Sequence, residues 1–235
     1  MGSFRNILLA LLILLASAGW TPARQDGYSL LRETMVTRQL AQRGVDDPGV
    51  LAAMRTVPRH RFVPAENVIL AYIDSPLPIG YGQTISQPFM VGYMCQVAGL
   101  DSTSRVLEVG TGSGYHASVI SRIVDTVYTI EIIPQLAERA KGVITSLGYD
   151  NIVTRSADGY YGWPETAPFD AIVVTAAPDH IPPPLIEQLA EGGRMVIPVG
   201  DPFLVQYLVL VEKINGEVRS RQLMPVSFVP FTGGH

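Results

Sequence analysis

Strand-like and helix-like segments alternate between residues 104 and 200, and this alternation constrains the fold more than any other feature of the sequence. Such an order indicates a parallel sheet whose strands are joined by right-handed crossovers. The predicted strands are apolar along their whole length, which is typical of a sheet covered by helices on both faces. The predicted strands are residues 106–109, 127–130, 152–154, 171–174 and 194–197. The predicted crossover helices are residues 115–124, 134–147 and 182–190.

The segments on either side of this core predict different structure. Helices are expected before it, and strands are expected after it over residues 204–212 and 218–229. Residues 74–88 are rich in proline and glycine and predict a loop of roughly 15 residues, a length that is often functional. The helices expected before the core are residues 29–44, 49–57 and 89–99. The sequence therefore predicts one α/β domain over residues 27–235, with N-terminal helices and the loop (27–103), the α/β core (104–200) and C-terminal strands (201–235).

Residues 1–26 have the pattern of a secretory signal. Arg5 precedes an apolar run over residues 7–16, and the small residues Ser17, Ala18 and Gly19 follow. The run is shorter than the ~20 residues that a transmembrane helix needs, so no stable membrane span is expected. The alternatives are an uncleaved anchor, or translation that starts at Met35. We therefore expect an exported, periplasmic protein.

Composition narrows the classes of function. Hydrophobic residues make up 47% of the chain and charged residues 16%, which favours a well-filled core over disorder. The net charge is −4 and basic residues form only short runs such as residues 59–61, so nucleic acid is a poor candidate partner. His60, within that run, could contact acidic peptides.

Cysteine and histidine are too sparse to indicate a metal site or a disulfide. Cys95 is the single cysteine and lies in an apolar stretch, where it is expected to be a small core residue. The histidines His60, His116, His180 and His235 are isolated from one another and form no metal-binding motif. We expect them at surface or packing positions and expect no bound metal.

A glycine-rich turn follows the first strand of the core. Gly110, Gly112 and Gly114 alternate with small polar residues, and Tyr115 stands where the dinucleotide-binding fingerprint would have its third glycine. Glycines at this position let the backbone turn sharply and approach a ligand closely. The turn lacks the Gly-Lys-Ser/Thr ending of a phosphate-binding loop, so a ligand without phosphate, such as S-adenosylmethionine, suits it.

Acidic residues at the ends of the predicted strands support a nucleoside site. Glu131 ends the second strand, where a carboxylate accepts hydrogen bonds from ribose hydroxyls, although an ordinary surface carboxylate is the alternative. Glu108 ends the first strand and could contact the ligand or brace the turn. Asp158 and Gly159 follow the third strand and could either approach the adenine amino group or form a simple turn.

The chain resembles the protein-L-isoaspartate O-methyltransferases from Arg38 to Thr232. The segment Thr84-Ile85-Ser86-Gln87-Pro88 separates this family from other methyltransferases that share the glycine turn. The resemblance implies a Rossmann-like S-adenosylmethionine-dependent methyltransferase fold, with a mostly parallel sheet and helices on both faces. The matching stretches are residues 57–59, 62–64, 77–80, 82–88, 107–115, 169–178, 189, 191–193 and 229–232.

The resemblance also implies an activity, which is methyl transfer from S-adenosylmethionine to the free carboxylate of L-isoaspartyl residues in damaged proteins, the step that initiates their repair. It places Ser86 at the active site and Thr232 near it. We expect Ser86 to hold the substrate carboxylate, although a serine before Gln87-Pro88 is also a good helix N-cap. The family's cofactor-binding residues fall on Thr84, Ile85, Glu108, Gly110, Glu131, Asp158 and Gly159, beside the turn glycines Gly112 and Gly114.

Several alternatives stay open at this point. The family is usually monomeric and cytosolic, and a cytosolic location would also explain the supply of methyl donor, so the signal segment is a departure. The chain could methylate other carboxylates, or could be an NAD-dependent oxidoreductase, although no residues for hydride chemistry are evident. A serine hydrolase is disfavoured because Gly112-Ser113-Gly114 is not the G-x-S-x-G motif. A non-enzymatic binding module would not explain the turn and the Ser86 segment in one chain.

Overall fold

The computed structural model describes residues 27–201 and 204–234. From Leu31 onward the described residues form one compact unit. The predicted signal segment lies outside the described residues. Among the residues that the structure describes, no helix is long and apolar enough to cross a membrane.

Three α-helices precede the central sheet, close to where the sequence predicts them, and the 3₁₀ helices Arg59–Arg61 and Ala65–Leu70 lie between the second and the third. Helix α1 (Ser29–Met35) continues through a π-helical and a 3₁₀ turn and ends at Gly44, whose φ is 90°. Helix α2 (Pro48–Thr56) begins at Asp47, whose carboxylate accepts a hydrogen bond from the Val50 backbone nitrogen at 2.8 Å. Helix α3 (Pro88–Ala98) follows the active-site loop expected from the sequence.

That loop is more ordered than the sequence indicates. Strands β1 (Leu77–Gly80) and β2 (Gln83–Ile85) form an antiparallel hairpin within it, so the prediction of an irregular loop over residues 74–88 is wrong in its middle. The hairpin turns through Tyr81 and Gly82, which both have positive φ, as a tight two-residue connection requires. Strands of four and three residues are too short to give a clear alternating pattern.

The central sheet has seven strands in the order β5-β4-β3-β6-β7-β8-β9. Strands β3 to β7 run parallel, and β8 and β9 are antiparallel additions at one edge. This confirms the predicted mostly parallel sheet with C-terminal strands. The strands are β3 (Arg105–Val109), β4 (Thr126–Glu131), β5 (Ile152–Ser156), β6 (Phe169–Val174), β7 (Leu189–Val199), β8 (Gln206–Ile214) and β9 (Glu217–Val226).

The strand order reverses between β3 and β6, and this reversal positions the site. The crossovers through α4 (Tyr115–Ile120) and α5 (Pro134–Ser146) run outward in one direction, and the crossover through α6 (Pro183–Glu187) runs in the other. Right-handed connections therefore place α4 and α5 on one face of the sheet and α6 on the other. Ligands of such sheets bind beyond the carboxyl ends of the strands at the reversal point.

Two predicted helices are longer than the observed ones. Helix α6 ends at Glu187 instead of Ala190, because Leu189 already pairs with Phe169 at the start of β7. Helix α4 ends at Ile120, and tighter turns continue to Val124. The apolar sequence would allow both helices to continue. Strand pairing ends α6, and the change to tighter turns ends α4.

Buried side chains of the parallel strands and α6 form a core that fixes the strand ends. Phe169, Ile172, Leu185 and Met195 are fully buried in it. Because full burial of each such side chain contributes roughly 1.5–3 kcal/mol, the strand ends that carry the site are rigidly placed.

Candidate active site

A cleft with about 790 Å³ of free space, part of it open to solvent, lies at the reversal point of the sheet. Its floor is formed by the turns after β3, β4 and β6, and its walls by β2, the start of α3 and a segment near the C-terminus. The residues that line it are Gln83, Thr84, Ile85, Ser86, Val91, Val109, Gly110, Thr111, Gly112, Ser113, Tyr115, His116, Ile130, Glu131, Ile132, Ile133, Gly159, Thr175, Ala176, Val229, Pro230, Phe231 and Thr232.

The first glycine of the turn is required by its surroundings. The backbone nitrogen atoms of Gly110 and Thr111 both donate to the Ile130 carbonyl, at 2.8 and 3.1 Å, which pulls the turn over the end of β4. A Cβ atom at Gly110 would lie 2.2 Å from Oγ1 of Thr175, and φ there is +99°. Only glycine satisfies both conditions, so the backbone forms the floor of the cleft at this point.

Glu131 is buried beneath the same turn and still borders the cleft. Its two carboxylate oxygens accept hydrogen bonds from the backbone nitrogen atoms of Gly112 (2.7 Å) and Ile133 (2.9 Å). Only 5% of the residue is exposed, so the alternative of an ordinary surface carboxylate is wrong. Each oxygen keeps a second lone pair, which can accept a hydrogen bond from a ligand hydroxyl.

Glu108 lies under the turn and outside the lining of the cleft. It is fully buried, and its Oε2 accepts a hydrogen bond from Thr129 Oγ1 at 2.5 Å. Its Oε1 has no hydrogen-bond partner among the described residues. Burial raises the pKa of Glu108 to about 8. Through Thr129, whose hydroxyl also lies 2.6 Å from that of Thr111, this carboxyl is linked to the turn, and its contact with the ligand stays a prediction.

Gly114 and Asp158 also lie outside the lining of the cleft, whereas Gly159 is part of it. A Cβ at Gly114 would lie 3.1 Å from Cδ1 of Ile144, so this glycine lets the turn pack against α5. The Asp158 carboxylate accepts hydrogen bonds from the backbone nitrogen atoms of Tyr160 (3.0 Å) and Gly234 (3.1 Å). The side chain thus forms a turn and contacts the C-terminal segment, and its approach to the adenine amino group stays a prediction.

The segment from β2 to α3 places Thr84, Ile85 and Ser86 in the wall of the cleft. Helix α3 begins with Gln87 as its N-cap, so the alternative role of Ser86 as the helix cap is wrong. The Ser86 hydroxyl makes no hydrogen bond to the described residues. An adjoining groove shares Thr84, Ser86, Thr175 and Val229 with the cleft. Its remaining lining residues are Pro76, Gln87, Met90, Val226, Ser227 and Phe228.

A segment near the C-terminus closes the opposite wall. Ala177 donates to the Val229 carbonyl and accepts from the Phe231 backbone nitrogen, both at 2.9 Å, so the segment is attached to the end of β6. Thr232 is brought to the cleft, as predicted from the sequence, although it is exposed. The structure thus brings together eight of the predicted residues, which are Thr84, Ile85, Ser86, Gly110, Gly112, Glu131, Gly159 and Thr232.

Thr175 and His116 are among the cleft residues that sequence reasoning did not single out. Thr175 directly follows β6, and its place at the carboxyl end of a central strand is the signal that could have identified it. His116 is buried, in agreement with the expected packing position, and it also lines the cleft, which was not expected. Its place two residues after the last glycine of the turn was the available signal.

The short basic run at residues 59–61 is not a uniform surface patch. Arg59 is fully buried, donates from Nε to the Ala71 carbonyl at 2.7 Å, and stacks on the Tyr115 ring with 4.8 Å between Cζ and the ring centroid. Burial lowers the pKa of Arg59 to about 10. Nδ1 of His60 lies 2.7 Å from the Tyr72 hydroxyl. Arg59 therefore joins the N-terminal segment to the glycine turn through Tyr115.

The sheet reversal, the glycine turn and the buried carboxylate of Glu131 define a Rossmann-like S-adenosylmethionine-dependent methyltransferase. The described residues that line the cleft include no lysine or arginine, which fits a nucleoside ligand without phosphate. The sequence model of the protein-L-isoaspartate(D-aspartate) O-methyltransferase family matches residues 31–235. The chain belongs to that family and is an enzyme.

Individual relatives agree with this assignment. The chain is 58% identical to protein-L-isoaspartate O-methyltransferase 1 of Nitrosospira multiformis over 217 residues, which cover 91% of this chain and 92% of the relative. It is 55% identical to the protein-L-isoaspartate O-methyltransferase of Opitutus terrae over 230 residues, which cover 97% of each chain.

Solved structures share the fold. A protein-L-isoaspartate O-methyltransferase superimposes with a TM-score of 0.79 at 32% identity, over 86% of this chain and 66% of that one. A Plasmodium falciparum protein, described as a putative member of the family in complex with S-adenosyl-L-homocysteine, gives a TM-score of 0.74 at 27% identity, over 86% of this chain and 98% of that one. Across the part of the chain that the structure describes, no group of three His, Cys, Asp or Glu could hold a metal ion.

Proposed function

We propose that this enzyme transfers the methyl group of S-adenosylmethionine to the free carboxylate of an L-isoaspartyl residue, and that Ser86 holds this carboxylate. One observation carries the proposal: the nucleoside cleft and the adjoining groove meet at Thr84 and Ser86. A peptide in the groove would therefore present a carboxylate to a methyl group at the end of the cleft. Residues from the 76–87 and 226–229 segments line that groove, together with Met90 and Thr175.

The residues present fit the methyl donor. Gly110 and Gly112 bring backbone without side chains to the cleft, and the Glu131 oxygens can accept hydrogen bonds from ribose hydroxyls. Ile85 lines the same cleft with an apolar side chain, and Gly159 lines it with backbone. When bound, S-adenosylmethionine supplies a methyl group activated by a sulfonium cation.

The chain needs no general base for this reaction. A carboxyl group has a reference pKa near 4, so the substrate is already an anionic nucleophile at neutral pH. His116 lines the cleft, but burial lowers its pKa to about 3, which makes it a weak base. The protein therefore acts by alignment and by exclusion of water, and positioning of this kind can supply roughly 7–11 kcal/mol.

Ser86 and Thr232 supply the contacts to the substrate. The Ser86 hydroxyl is half-buried and can donate to the carboxylate from the side of β2. Thr232 faces the same cleft from the C-terminal segment. The resulting methyl ester is more reactive than the acid, so that the following backbone nitrogen displaces methanol and closes a succinimide, which hydrolyses in part to normal aspartate.

The direct test uses methyl-labelled donor and a pair of peptides that differ only in whether one aspartate is linked through its side chain. We expect base-labile label in the isoaspartyl peptide and little in the normal one. Equal labelling of both peptides would favour a general carboxyl methyltransferase, and no labelling of either would exclude the proposed reaction. Thermal shifts with S-adenosylhomocysteine and with NAD, measured in parallel, separate the methyltransferase from the oxidoreductase alternative.

We further propose that the enzyme is exported and acts as a monomer. The support for export is the pattern of Arg5, the apolar run over residues 7–16 and the small residues after it. Periplasmic fractionation with N-terminal sequencing should find a mature chain that begins near residue 19 or 24. Full-length protein confined to the cytoplasm would contradict export and would fit the usual supply of methyl donor. Light scattering measures the molar mass in solution, and a mass of one chain is expected for a monomer.

A further inference from the structure

His116 lines the cleft and carries a buried polar atom that has no hydrogen-bond partner among the described residues. The residue is 7% exposed and lines the cleft near the start of α4. Its Nε2 lies 3.3 Å from the Cys95 sulfur. Its Nδ1 is buried and has no hydrogen-bond partner among the described residues.

The neighbouring thiol determines which ring nitrogen carries the proton. A thiol is a weak donor and its sulfur a weak acceptor, whereas an unprotonated imidazole nitrogen is a good acceptor. The favoured pairing is therefore a Cys95 S–H that donates to Nε2, which leaves the hydrogen of the neutral ring on Nδ1. Burial keeps both groups neutral, because it raises the pKa of Cys95 and lowers that of His116 to about 3. His116 thus offers one neutral N–H donor.

The position of this donor indicates which end of the ligand it faces. Cys95 belongs to α3, which packs on β6 and β7, whereas Glu131 ends β4 on the other side of β3. Ser86, where the peptide groove opens, lies two residues before Pro88, the first residue of α3. If ribose lies at Glu131 and the methyl group at Ser86, the amino-acid end of the donor extends toward α3 and His116.

The amino-acid end carries an ammonium group, which can only donate hydrogen bonds, and a carboxylate, which can only accept them. We infer that His116 is a further cofactor-binding residue, whose Nδ1–H donates to the α-carboxylate of S-adenosylmethionine. The inference rests on the proposed function, because it requires that the cleft bind this donor. A charge-assisted hydrogen bond of this kind corresponds to roughly 10- to 100-fold in affinity.

The test compares two ligands and two variants by calorimetric titration. S-adenosylhomocysteine has the amino-acid end, and methylthioadenosine has the same nucleoside and thioether without it. We expect H116L to weaken S-adenosylhomocysteine binding at least 10-fold and methylthioadenosine binding less than 2-fold. In H116N the side-chain amide nitrogen takes the place of Nδ1, so the affinity for S-adenosylhomocysteine should return to within about 3-fold of wild type.

Each other outcome overturns the inference. If H116L binds S-adenosylhomocysteine as wild type does, or loses affinity for both ligands equally, His116 does not bind the carboxylate. If wild type binds neither ligand, the proposed function fails together with the inference, so the two failures are distinguishable.

A spectroscopic readout on the wild-type protein keeps the inference falsifiable if the variants do not fold. Nitrogen-15 spectra of the imidazole should show a proton on Nδ1, and its resonance should move on addition of S-adenosylhomocysteine but not of methylthioadenosine. A proton on Nε2 instead would overturn the inference.

Discussion

The Thr175 hydroxyl oxygen lies 2.7 Å from the carbonyl oxygen of Gly110, to which it donates a hydrogen bond across the reversal point of the sheet. The same hydroxyl lies 3.1 Å from the Val109 carbonyl oxygen. The end of β6 thereby holds the glycine turn after β3 in place. Because Gly110 and Thr175 both line the cleft, the shape of its floor depends on this contact.

Substitution of Gly110 by alanine should damage both stability and ligand binding. The added Cβ would lie 2.2 Å from Thr175 Oγ1 at a residue whose φ is +99°. We expect a loss of about 1–3 kcal/mol in the free energy of unfolding, measured by urea denaturation, and at least 10-fold weaker binding of S-adenosylhomocysteine. The matched control is G142A in α5, where a Cβ meets nothing within 4 Å and should be neutral or stabilising. Equal stability of the two variants would contradict this account of the turn.

Glu131 should contribute to ligand affinity in two ways, because it holds the glycine turn and can accept hydrogen bonds from the ribose hydroxyls. In E131Q one oxygen becomes an amide nitrogen, which cannot accept from the backbone of Gly112 or Ile133. We expect S-adenosylhomocysteine to bind roughly 10- to 100-fold more weakly, as measured by calorimetry. Glu138 on α5 is exposed, so E138Q is the control and should bind like wild type. Unchanged affinity in E131Q would remove Glu131 from the site.

The buried carboxyl of Glu108 predicts a particular pH dependence of stability. Its pKa rises from an ordinary value of 4.5 to about 8 on folding, so the folded state favours the protonated form. The stabilisation is complete below pH 4.5 and is lost as the pH rises toward 8, with a slope of at most about 1.4 kcal/mol per pH unit. E108Q is neutral at every pH and should show a flatter profile between pH 5 and 8. Parallel urea profiles for wild type and E108Q would refute this.

Arg59 and Arg61 should differ sharply although they are two residues apart. Arg59 is buried against Tyr115, and R59A would leave a cavity and an unpaired Ala71 carbonyl. We expect a loss of about 3 kcal/mol or more in the free energy of unfolding. Arg61 is exposed, and R61A should change stability by no more than about 0.5 kcal/mol. Similar effects of the two substitutions on thermal or chemical unfolding would show that Arg59 is not a core residue.

The sequence predicts those parts of the fold whose signal is local. The apolar strands and the glycine turn reveal the parallel sheet, because strand period and turn chemistry are carried by adjacent residues. Gly110 and Glu131 could be identified for the same reason. The resemblance to a family, and not any pattern of spacing, provided Ser86 and Thr232.

The remaining features depend on contacts between distant segments. Arg59 is buried against Tyr115 and the Ala71 carbonyl, and His116 contacts Cys95 of α3. Asp158 could not be placed because its partner Gly234 lies on the C-terminal segment. Patterns among adjacent residues do not predict contacts between residues that are far apart in the sequence.

The central claim is that Ser86 holds the substrate carboxylate where the cleft meets the groove, and the kinetics of S86A test it most directly. The account predicts that kcat/KM for an isoaspartyl peptide falls roughly 10- to 100-fold, since one hydrogen bond to a charged group is lost, while the Kd for S-adenosylhomocysteine changes less than 2-fold. Unchanged kcat/KM, or a loss that appears equally in the Kd for S-adenosylhomocysteine, would contradict it.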